Sequence, residues 1–165
     1  MNTWMRAIAA AALLASAAGA VQAGVTVTFT DPDTYVAMPQ AADERERILK
    51  DLDEHFARLG AKLPAGTDLK VDVLELRMAG RVLPNFRGGD DVRLIKGGAD
   101  WPSMRLHYAL TRDGKVVAQG EERLSNMDYL ARANRAGAEQ TNIYEKQMID
   151  DWFTARIING KLAAR

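Results

Sequence analysis

Residues 101–130, WPSMRLHYALTRDGKVVAQGEERLSNMDYL, contain two runs that alternate between apolar and polar residues, with Asp113-Gly114 between them. An Asp-Gly pair flanked by alternating residues is a strong short-range signal of a β-hairpin. We therefore predict two antiparallel strands, at about 103–111 and 115–124. The other segments of the chain are expected to cover this hairpin.

The turn of this hairpin has two possible lengths. A two-residue turn would place Arg112 opposite Lys115, which has the same charge, whereas a three-residue turn with Gly114 in the left-handed region places Thr111 opposite Lys115. A change of register moves every side chain of a strand, so the register that gathers the apolar residues on one face is favoured. The three-residue turn with a bulge does this, and it is the turn we predict.

The predicted register gives the hairpin one apolar face and one polar face. On the polar face Arg105 is expected opposite Glu121, and His107 opposite Gln119. Such alternation is typical of an antiparallel sheet that is covered on one face only. The predicted apolar face consists of Met104, Leu106, Tyr108, Leu110, Val116, Ala118 and Leu124.

The N-terminal residues 1–23 have the pattern of a cleaved signal peptide. Arg6 gives a positive start, an alanine-rich apolar run follows, and Val21-Gln22-Ala23 resembles a cleavage site. The apolar run is short for a transmembrane helix. Gly24, not cysteine, follows the site, so no lipid anchor is expected. We predict a soluble periplasmic protein without a stable membrane anchor.

Composition limits the partners of the 165-residue chain. It has 22 basic and 22 acidic residues and no cysteine. Balanced charge argues against nucleic acid as a partner, and the absence of cysteine excludes disulfides and thiol chemistry. Residues 24–165 have the length of one domain. The expected partner is an envelope protein or a small molecule.

The first half of the chain predicts a strand, a helix and a second strand. Residues 25–30 alternate as in a strand, and Asp43 with Glu46 resembles a capping box at the start of a helix that Gly60 ends. In residues 69–78 the apolar phase slips, which indicates a β-bulge or a strand buried on both faces. The helix is amphipathic through Ile48, Leu49, Leu52, Phe56 and Leu59.

The remaining segments complete an α+β fold. Residues 79–100 contain two Gly-Gly pairs around 91–95, which predicts a flexible loop with a short edge strand. Residues 125–142 form a polar connection. We therefore predict a two-layer sandwich in the order β-α-β-β-β-α, with a roughly four-stranded, mostly antiparallel sheet and two helices on one face. The last helix, at about 142–158, has a stripe of Tyr144, Met148, Trp152 and Ala155, flanked by Ile149 and Phe153.

Several motifs together resemble a known family. They are Ala99-Asp100-Trp101-Pro102, the stretch GEERLSNMDYL at 120–130, and Tyr144-Glu145-Lys146 followed by Asp150-Asp151-Trp152-Phe153. In combination they resemble the bacterial domain-of-unknown-function 3016 family. The resemblance covers essentially the whole chain after the signal segment. It implies a small exported bacterial protein and supplies no catalytic residues.

Catalytic and metal-binding motifs are weak. Asp51 and His55 lie one helical turn apart but have no third ligand, so a solvated helix pair is the preferred interpretation. Glu122 is predicted to point toward the apolar side, where a buried charge needs a partner such as Arg123, Arg132 or Arg135. Ser103 with His107 is a weak nucleophile pair. We predict no catalytic residue, no metal and no cofactor.

The leading hypothesis is a non-enzymatic binding or accessory module. Its ligand or partner would contact the polar face of the hairpin or its open end, where Trp101 and Tyr129 are expected to be exposed. The alternative is a small carboxylate-dependent hydrolase or transferase that uses Glu122, Asp128 and an arginine in a pocket bounded by the 79–100 loop. It requires Glu122, Asp128 and His107 to converge on one concave site. A homodimer through Ala109 and Val117, expected opposite each other, is also possible. The candidate surface comprises Trp101, Arg105, His107, Glu121, Glu122, Arg123, Asp128 and Tyr129.

Overall fold

The structure, a computed structural model, describes residues 23–85, 87–133 and 141–162. Residues 1–22 of the predicted signal peptide lie outside the described residues. The helices and strands are β1 Gly24–Phe29, α1 Ala42–Gly60, β2 Thr67–Arg77, β3 Arg81–Leu83, β4 Val92–Leu94, β5 Ser103–Arg112, β6 Lys115–Ser125, α2 Tyr129–Ala133 and α3 Ile143–Trp152, which continues as a π-helix over Phe153–Leu162. A single 3-10 turn, Pro32–Thr34, follows β1.

The main sheet has four strands in the order β1-β2-β5-β6. β1 runs parallel to β2, whereas β2 with β5 and β5 with β6 are antiparallel. The predicted α+β class with a mostly antiparallel four-stranded sheet is confirmed. Val36, beyond the end of β1, forms a single parallel bridge with Arg77. β3 and β4 pair with each other in a separate two-stranded sheet.

Both long helices cover the same face of the sheet. Leu52 and Phe56 of α1 and Met148 of α3 are buried in one hydrophobic cluster with inward-facing residues of β2 and β5. The ring of Trp152 packs edge-on against Tyr108 of β5, with 5.8 Å between ring centroids. Leu106, Tyr108 and Leu110 are buried, as the hairpin pattern predicts.

The predicted turn of the hairpin is wrong. Arg112 pairs with Lys115 across a two-residue turn, in which Asp113 and Gly114 both have positive φ (51° and 75°), as a type I′ turn requires. A register shift follows, since Thr111 pairs with Val116 but Leu110 pairs with Ala118, which leaves Val117 as the extra residue of a bulge.

The bulge explains why the faces are nevertheless correct. Tyr108 pairs with Gly120 and not with Ala118, a slip of two residues. A slip of two leaves every side chain on the same face. Only Val116, predicted on the apolar face, lies beyond the bulge and is exposed. Ala109 pairs with Gln119, so the expected Ala109–Val117 pair is also wrong.

The ends of α1 differ from the predicted caps. The N-cap residue is Ala41, which makes no side-chain cap, and Asp43 lies inside the first turn. Gly60 is the last helical residue and not a terminator beyond the helix. A Cβ at Gly60 would lie 3.0 Å from the backbone nitrogen of Val25, so the glycine is required because α1 and β1 approach closely.

The last helix begins where it was expected, but its buried stripe differs. Met148, Ile149, Trp152 and Phe153 are buried, whereas Ala155 is exposed. The wider turn of the π-helix changes the angle between successive residues, so the 3.6-residue pattern does not continue past Trp152. Within the described part of the chain, no helix combines the length and the apolar character needed to cross a membrane.

Candidate functional site

Four of the predicted surface residues lie on the face of the sheet that the helices leave uncovered. Arg105 and His107 of β5 alternate with the buried Leu106 and Tyr108, and Glu121 and Arg123 of β6 lie on the same outer side. We call this surface, defined by the outward side chains of β2, β5 and β6, the outer face. The register places His107 opposite Glu121 and not opposite Gln119.

An ion-pair ladder runs across the outer face from β2 to β6. Arg105 donates to Glu75 Oε1 at 2.7 Å and to Glu121 Oε1 at 3.0 Å. The predicted pairing of Arg105 opposite Glu121 is wrong, since Arg105 lies opposite Arg123 and reaches Glu121 diagonally. The hydrogen bond from Arg105 lowers the pKa of Glu75 below its usual value, and the two carboxylates raise the pKa of Arg105. Glu75 and Arg105 therefore stay charged over the ordinary pH range.

One end of the outer face carries a groove of about 380 Å³, which we call the arginine groove. It is lined by Arg77, Arg105 and Arg123, by Glu75, and by Ser103 near the start of β5. Residues 34–36, after the 3-10 turn, form its other wall. The register sets Arg105 directly opposite Arg123 and Arg77 opposite Ser103.

Sequence reasoning missed Arg77 and Glu75. The register of β2 shifts between Val73 and Glu75, so Leu74 is the extra residue of a bulge. The bulge turns Glu75 and Arg77 to the outer side while Val73 and Leu76 both stay buried. The slip of the apolar phase in residues 69–78 was the available signal, since it implies that the polar phase slips as well.

Glu122 points to the helix layer, as predicted; the side chains of Arg132 and Arg135, two of its expected partners, lie outside the described residues. The Glu122 Oε2 accepts a hydrogen bond from Trp152 Nε1 at 3.2 Å and lies 3.2 Å from Arg156 Nε. Arg123, a predicted partner, lies on the outer side instead. Glu122 and His107 therefore face opposite sides of the sheet. The expected convergence of Glu122, Asp128 and His107 on one pocket is contradicted.

Tyr129 is not exposed at the open end of the hairpin, which corrects the expected Trp101–Tyr129 edge. It is 1% exposed and donates its hydroxyl hydrogen bond to Asp100 Oδ1 at 2.5 Å. Its ring packs edge-on against Tyr144 with 4.9 Å between centroids. Burial, together with the Asp100 carboxylate, raises the pKa of Tyr129 to about 12. Trp101 is half-buried, and Asp128 is exposed.

A second cavity, of about 360 Å³, lies in the helix layer between α1, the β3–β4 segment and the start of α3. The 79–100 segment bounds it, as expected for a pocket, but neither Glu122 nor Asp128 lines it. Its charged groups are already bound within the protein. Arg47 reaches Asp90 at 3.2 Å, and Asp91 accepts from backbone amides, for example from Asn85 at 3.2 Å.

Asp51, which lines this cavity from α1, belongs to a polar cluster that joins α1 to α3. Asp51 accepts hydrogen bonds from Lys146 Nζ at 2.7 Å, from Asn142 Nδ2 at 2.7 Å and from Thr141 Oγ1 at 3.1 Å. Burial opposes ionisation of Asp51, but these hydrogen bonds outweigh it and lower its pKa. His55 bonds instead to Asp150 at 2.8 Å. The expected solvated Asp51–His55 pair is therefore wrong, since each residue binds α3.

A second buried polar cluster attaches the β4 segment to α3. The Glu145 carboxylate is fully buried, and its Oε1 accepts from the backbone nitrogen of Ala79 at 2.7 Å and from the Arg93 guanidinium. Arg93 Nε also donates to the carbonyl of Ala79 at 2.7 Å. These contacts hold the segment after β2 against α3, so the charges have a structural role.

No metal centre emerges from the described residues, where no group of three histidine, aspartate or glutamate side chains is placed to hold an ion. The arginine groove is the cavity that unites residues of the predicted surface, because Arg105 and Arg123 both line it. Guanidinium groups bind carboxylate and phosphate oxygens through two parallel hydrogen bonds. The groove is therefore suited to holding an anion.

Comparison with known proteins gives one family. Its description reads "Protein of unknown function (DUF3016)", and it matches residues 23–155. Neither the curated proteins nor the solved structures contain a match. The matched region includes both helices that cover the sheet, all six strands and the arginine groove. The chain belongs to the DUF3016 family of proteins of unknown function.

Proposed function

We propose that the protein is an exported, non-enzymatic binding module that holds an anionic ligand in the arginine groove. The observation that carries the proposal is the groove itself, in which three guanidinium groups face a single lining carboxylate, Glu75. Glu75 is already bound by Arg105 at 2.7 Å. The volume of the groove, about 380 Å³, is within the range of small-molecule sites, roughly 300–1,000 Å³.

Binding is favoured over catalysis because the titratable groups are dispersed. His107 lies on the outer face, and Glu122 lies beneath the sheet against Trp152. Arginine stays protonated at every working pH and cannot act as a general base. The groove therefore supplies charge and hydrogen-bond donors without a proton acceptor suited to chemistry, since Glu75 is kept ionised by Arg105.

Export is the second part of the proposal and rests on the sequence pattern of residues 1–23. Cleavage before Gly24 would release the protein into the periplasm, where envelope metabolites and headgroups are available as ligands. Fractionation of cells that produce the full chain, followed by mass measurement of the released protein, tests this part. Cytoplasmic retention with residues 1–23 intact would refute it.

A thermal-shift assay against fractionated envelope metabolites tests the binding part. We expect at least one fraction to stabilise the purified protein and to lose its effect when Arg77 and Arg123 are both replaced by Gln. The matched control is Lys70→Gln, which removes one charge from β2 outside the groove. Equal stabilisation of all variants, or no stabilisation by any fraction, would contradict the proposed site.

A further inference from the structure

The groove contains more positive charge than the protein itself neutralises. Arg105 is shared by Glu75 and Glu121. Within the described part of the chain, neither Arg77 nor Arg123 has an ion-pair partner within 4.0 Å. Two guanidinium groups with free donors therefore line the same groove.

The strand register brings these donors within reach of one small group. Side chains directly opposite on neighbouring strands have Cβ atoms about 5 Å apart, and diagonal neighbours are about 7–8 Å apart. Arg123 is directly opposite Arg105, and Arg77 is diagonal to it through the pair with Ser103. Ser103 lies between Arg77 of β2 and Ser125 of β6, and its hydroxyl adds another donor to the groove.

The register sets two guanidinium groups, those of Arg105 and Arg123, directly opposite each other. Like charges directly opposite each other destabilise a pair of strands. Both carboxylates of the ladder bind Arg105, so Arg123 receives only the longer-range field of Glu75. An oxyanion in the groove would relieve the repulsion and accept the free donors.

From these contacts we infer that the arginine groove recognises the phosphate group of a small phosphate monoester. The inference rests on the proposed binding function and specifies its ligand. A carboxylate has two oxygens to accept hydrogen bonds, whereas a phosphate monoester has three terminal oxygens. Two guanidinium forks and a hydroxyl supply more donors than one carboxylate can use.

The groove is larger than a phosphate group alone requires. At about 380 Å³ it leaves room for an organic body beside the phosphate. Thr34, Tyr35 and Val36 form a wall of mixed polarity on that side, with Val36 exposed. The body is therefore expected to be small and partly polar, as in a sugar or glycerol ester, and it can belong to a free metabolite or to a lipid headgroup.

Titration calorimetry with glycerol phosphate, at constant ionic strength, tests the inference directly. We expect saturable binding that weakens about tenfold or more for Arg77→Gln and for Arg123→Gln, because each removes a charge-assisted fork. Lys70→Gln, the matched control on the same strand face, should change affinity by less than about twofold, as expected for a screened distant charge. Arg123→Lys, which keeps the charge but loses the fork, should fall between the wild type and Arg123→Gln.

Two further arms identify the group and its source. Succinate should bind at least about tenfold more weakly than glycerol phosphate, because its carboxylates are planar and separated. Vesicles that contain phosphatidic acid test a lipid source, and binding to the vesicles alone would assign the phosphate to a headgroup. Affinity for glycerol phosphate should fall between pH 7 and about pH 5, since the second phosphate pKa is about 6.

The outcomes separate this inference from the proposed function. No binding of glycerol phosphate or of the vesicles, equal loss in Lys70→Gln, or succinate binding as tight as glycerol phosphate would each overturn the phosphate assignment. If envelope fractions still stabilise the protein through Arg77 and Arg123 in that case, the binding module stands with another anion. If glycerol phosphate binds through Arg77 and Arg123 but no envelope fraction stabilises the protein, the phosphate site is supported. The proposal that the protein binds an envelope ligand is then refuted.

Discussion

Two groups of charged residues in this protein have opposite roles. In the helix layer, Glu145 is fully buried and its contacts with Arg93 and Ala79 join β4 to α3. On the outer face, the side chains of Glu75 and Glu121 are 59% and 52% exposed, and they bind one arginine between them. The first group is committed to the fold, and the second leaves neighbouring arginines free.

The contrast follows from the cost of desolvation. A buried charge without a partner is strongly destabilising, so charges in the helix layer must be paired with each other. An exposed charge keeps most of its hydration and contributes little to stability whether or not it is paired. Unpaired arginines can therefore persist on the outer face at small cost, which is where a ligand can gain from them.

The largest expected effect is the loss of the buried carboxylate. Glu145→Ala would leave the Arg93 guanidinium and the Ala79 amide without their acceptor. Breaking one side of a buried charged pair typically costs about 3–5 kcal/mol, and we expect a loss of that size in urea denaturation. Glu145→Gln is the matched control, because its amide oxygen still accepts from Ala79, so the loss should be smaller.

Equal effects of the two substitutions at Glu145 would show that the whole loss comes from leaving Arg93 without its counter-charge, and that the acceptor for Ala79 contributes nothing. A loss below about 1 kcal/mol for Glu145→Ala would mean that water replaces the carboxylate as it does at the surface. In that case the two charged groups would not differ in kind.

The second effect concerns Asp51 and has a defined pH dependence. Asp51→Asn leaves Lys146, whose side chain is only 10% exposed, without its carboxylate partner, and should cost about 2–3 kcal/mol at neutral pH. Because the folded pKa of Asp51 is lowered below 3.8, its contribution is fully present above that value and is lost as pH falls through the folded pKa.

Acid denaturation of the two proteins measures this contribution. The stability difference between wild type and Asp51→Asn should be constant from neutral pH down to about pH 5 and shrink below pH 4. Asp53→Asn is the control, since Asp53 is an exposed carboxylate on the same helix. A difference that does not depend on pH would show that ionised Asp51 is not the group that Lys146 stabilises.

The hairpin shows which features the sequence determines and which it does not. The alternation of apolar and polar residues fixes the face of each side chain, because a slip of two residues in the pairing leaves every side chain on the same face. The turn was mispredicted because a two-residue turn was expected to scatter the apolar residues, whereas the bulge at Val117 allows that turn together with a single apolar face. Lys115 is exposed and Arg112 half-buried, so solvent screens their repulsion, and the preference of Asp113-Gly114 for a type I′ turn prevails.

The missed residues have a common cause, which is contact between distant segments. Glu145 is buried only because Ala79 and Arg93 pack against α3, and neither is near it in sequence. Arg77 reaches the groove only because β2 has a bulge. Local periodicity predicts which face of a single helix or strand is buried, but it does not specify which helices and strands contact each other. The clusters of the helix layer and the groove could therefore be found only from the structure.

A third, smaller effect concerns the interior at the end of the hairpin. Tyr129→Phe removes the hydrogen bond to Asp100, and because water can solvate that carboxylate, we expect a loss of about 1 kcal/mol. Burial raises the pKa of Tyr129 from 10.0 to about 12, so its stabilising effect is complete below pH 10 and is lost as pH rises toward 12.

Spectrophotometric titration of tyrosinate checks this assignment. Wild type should show ionisation near pH 12 that Tyr129→Phe partly removes. Tyr35, whose pKa burial also raises to about 12, and Tyr108, whose pKa burial raises, account for the high-pH ionisation that remains. If Tyr129→Phe instead removes ionisation near pH 10, about the usual value for an exposed tyrosine, Tyr129 is in contact with solvent, as the sequence suggested. The hairpin end would then be an open edge after all.

The smallest effect on stability is expected on the outer face. Glu121→Gln removes one exposed partner of Arg105, and urea denaturation should show a change below about 1 kcal/mol that salt reduces further. The same substitution removes a competitor for the arginines of the groove. Glycerol phosphate should therefore bind about two- to fivefold more tightly, as expected for a charge several ångströms away in water. If Glu121→Gln leaves the fold intact but strengthens ligand binding, the ladder on the outer face differs in function from the buried clusters of the helix layer. A large loss of stability with unchanged affinity would show instead that the ladder stabilises the fold, as the buried clusters do.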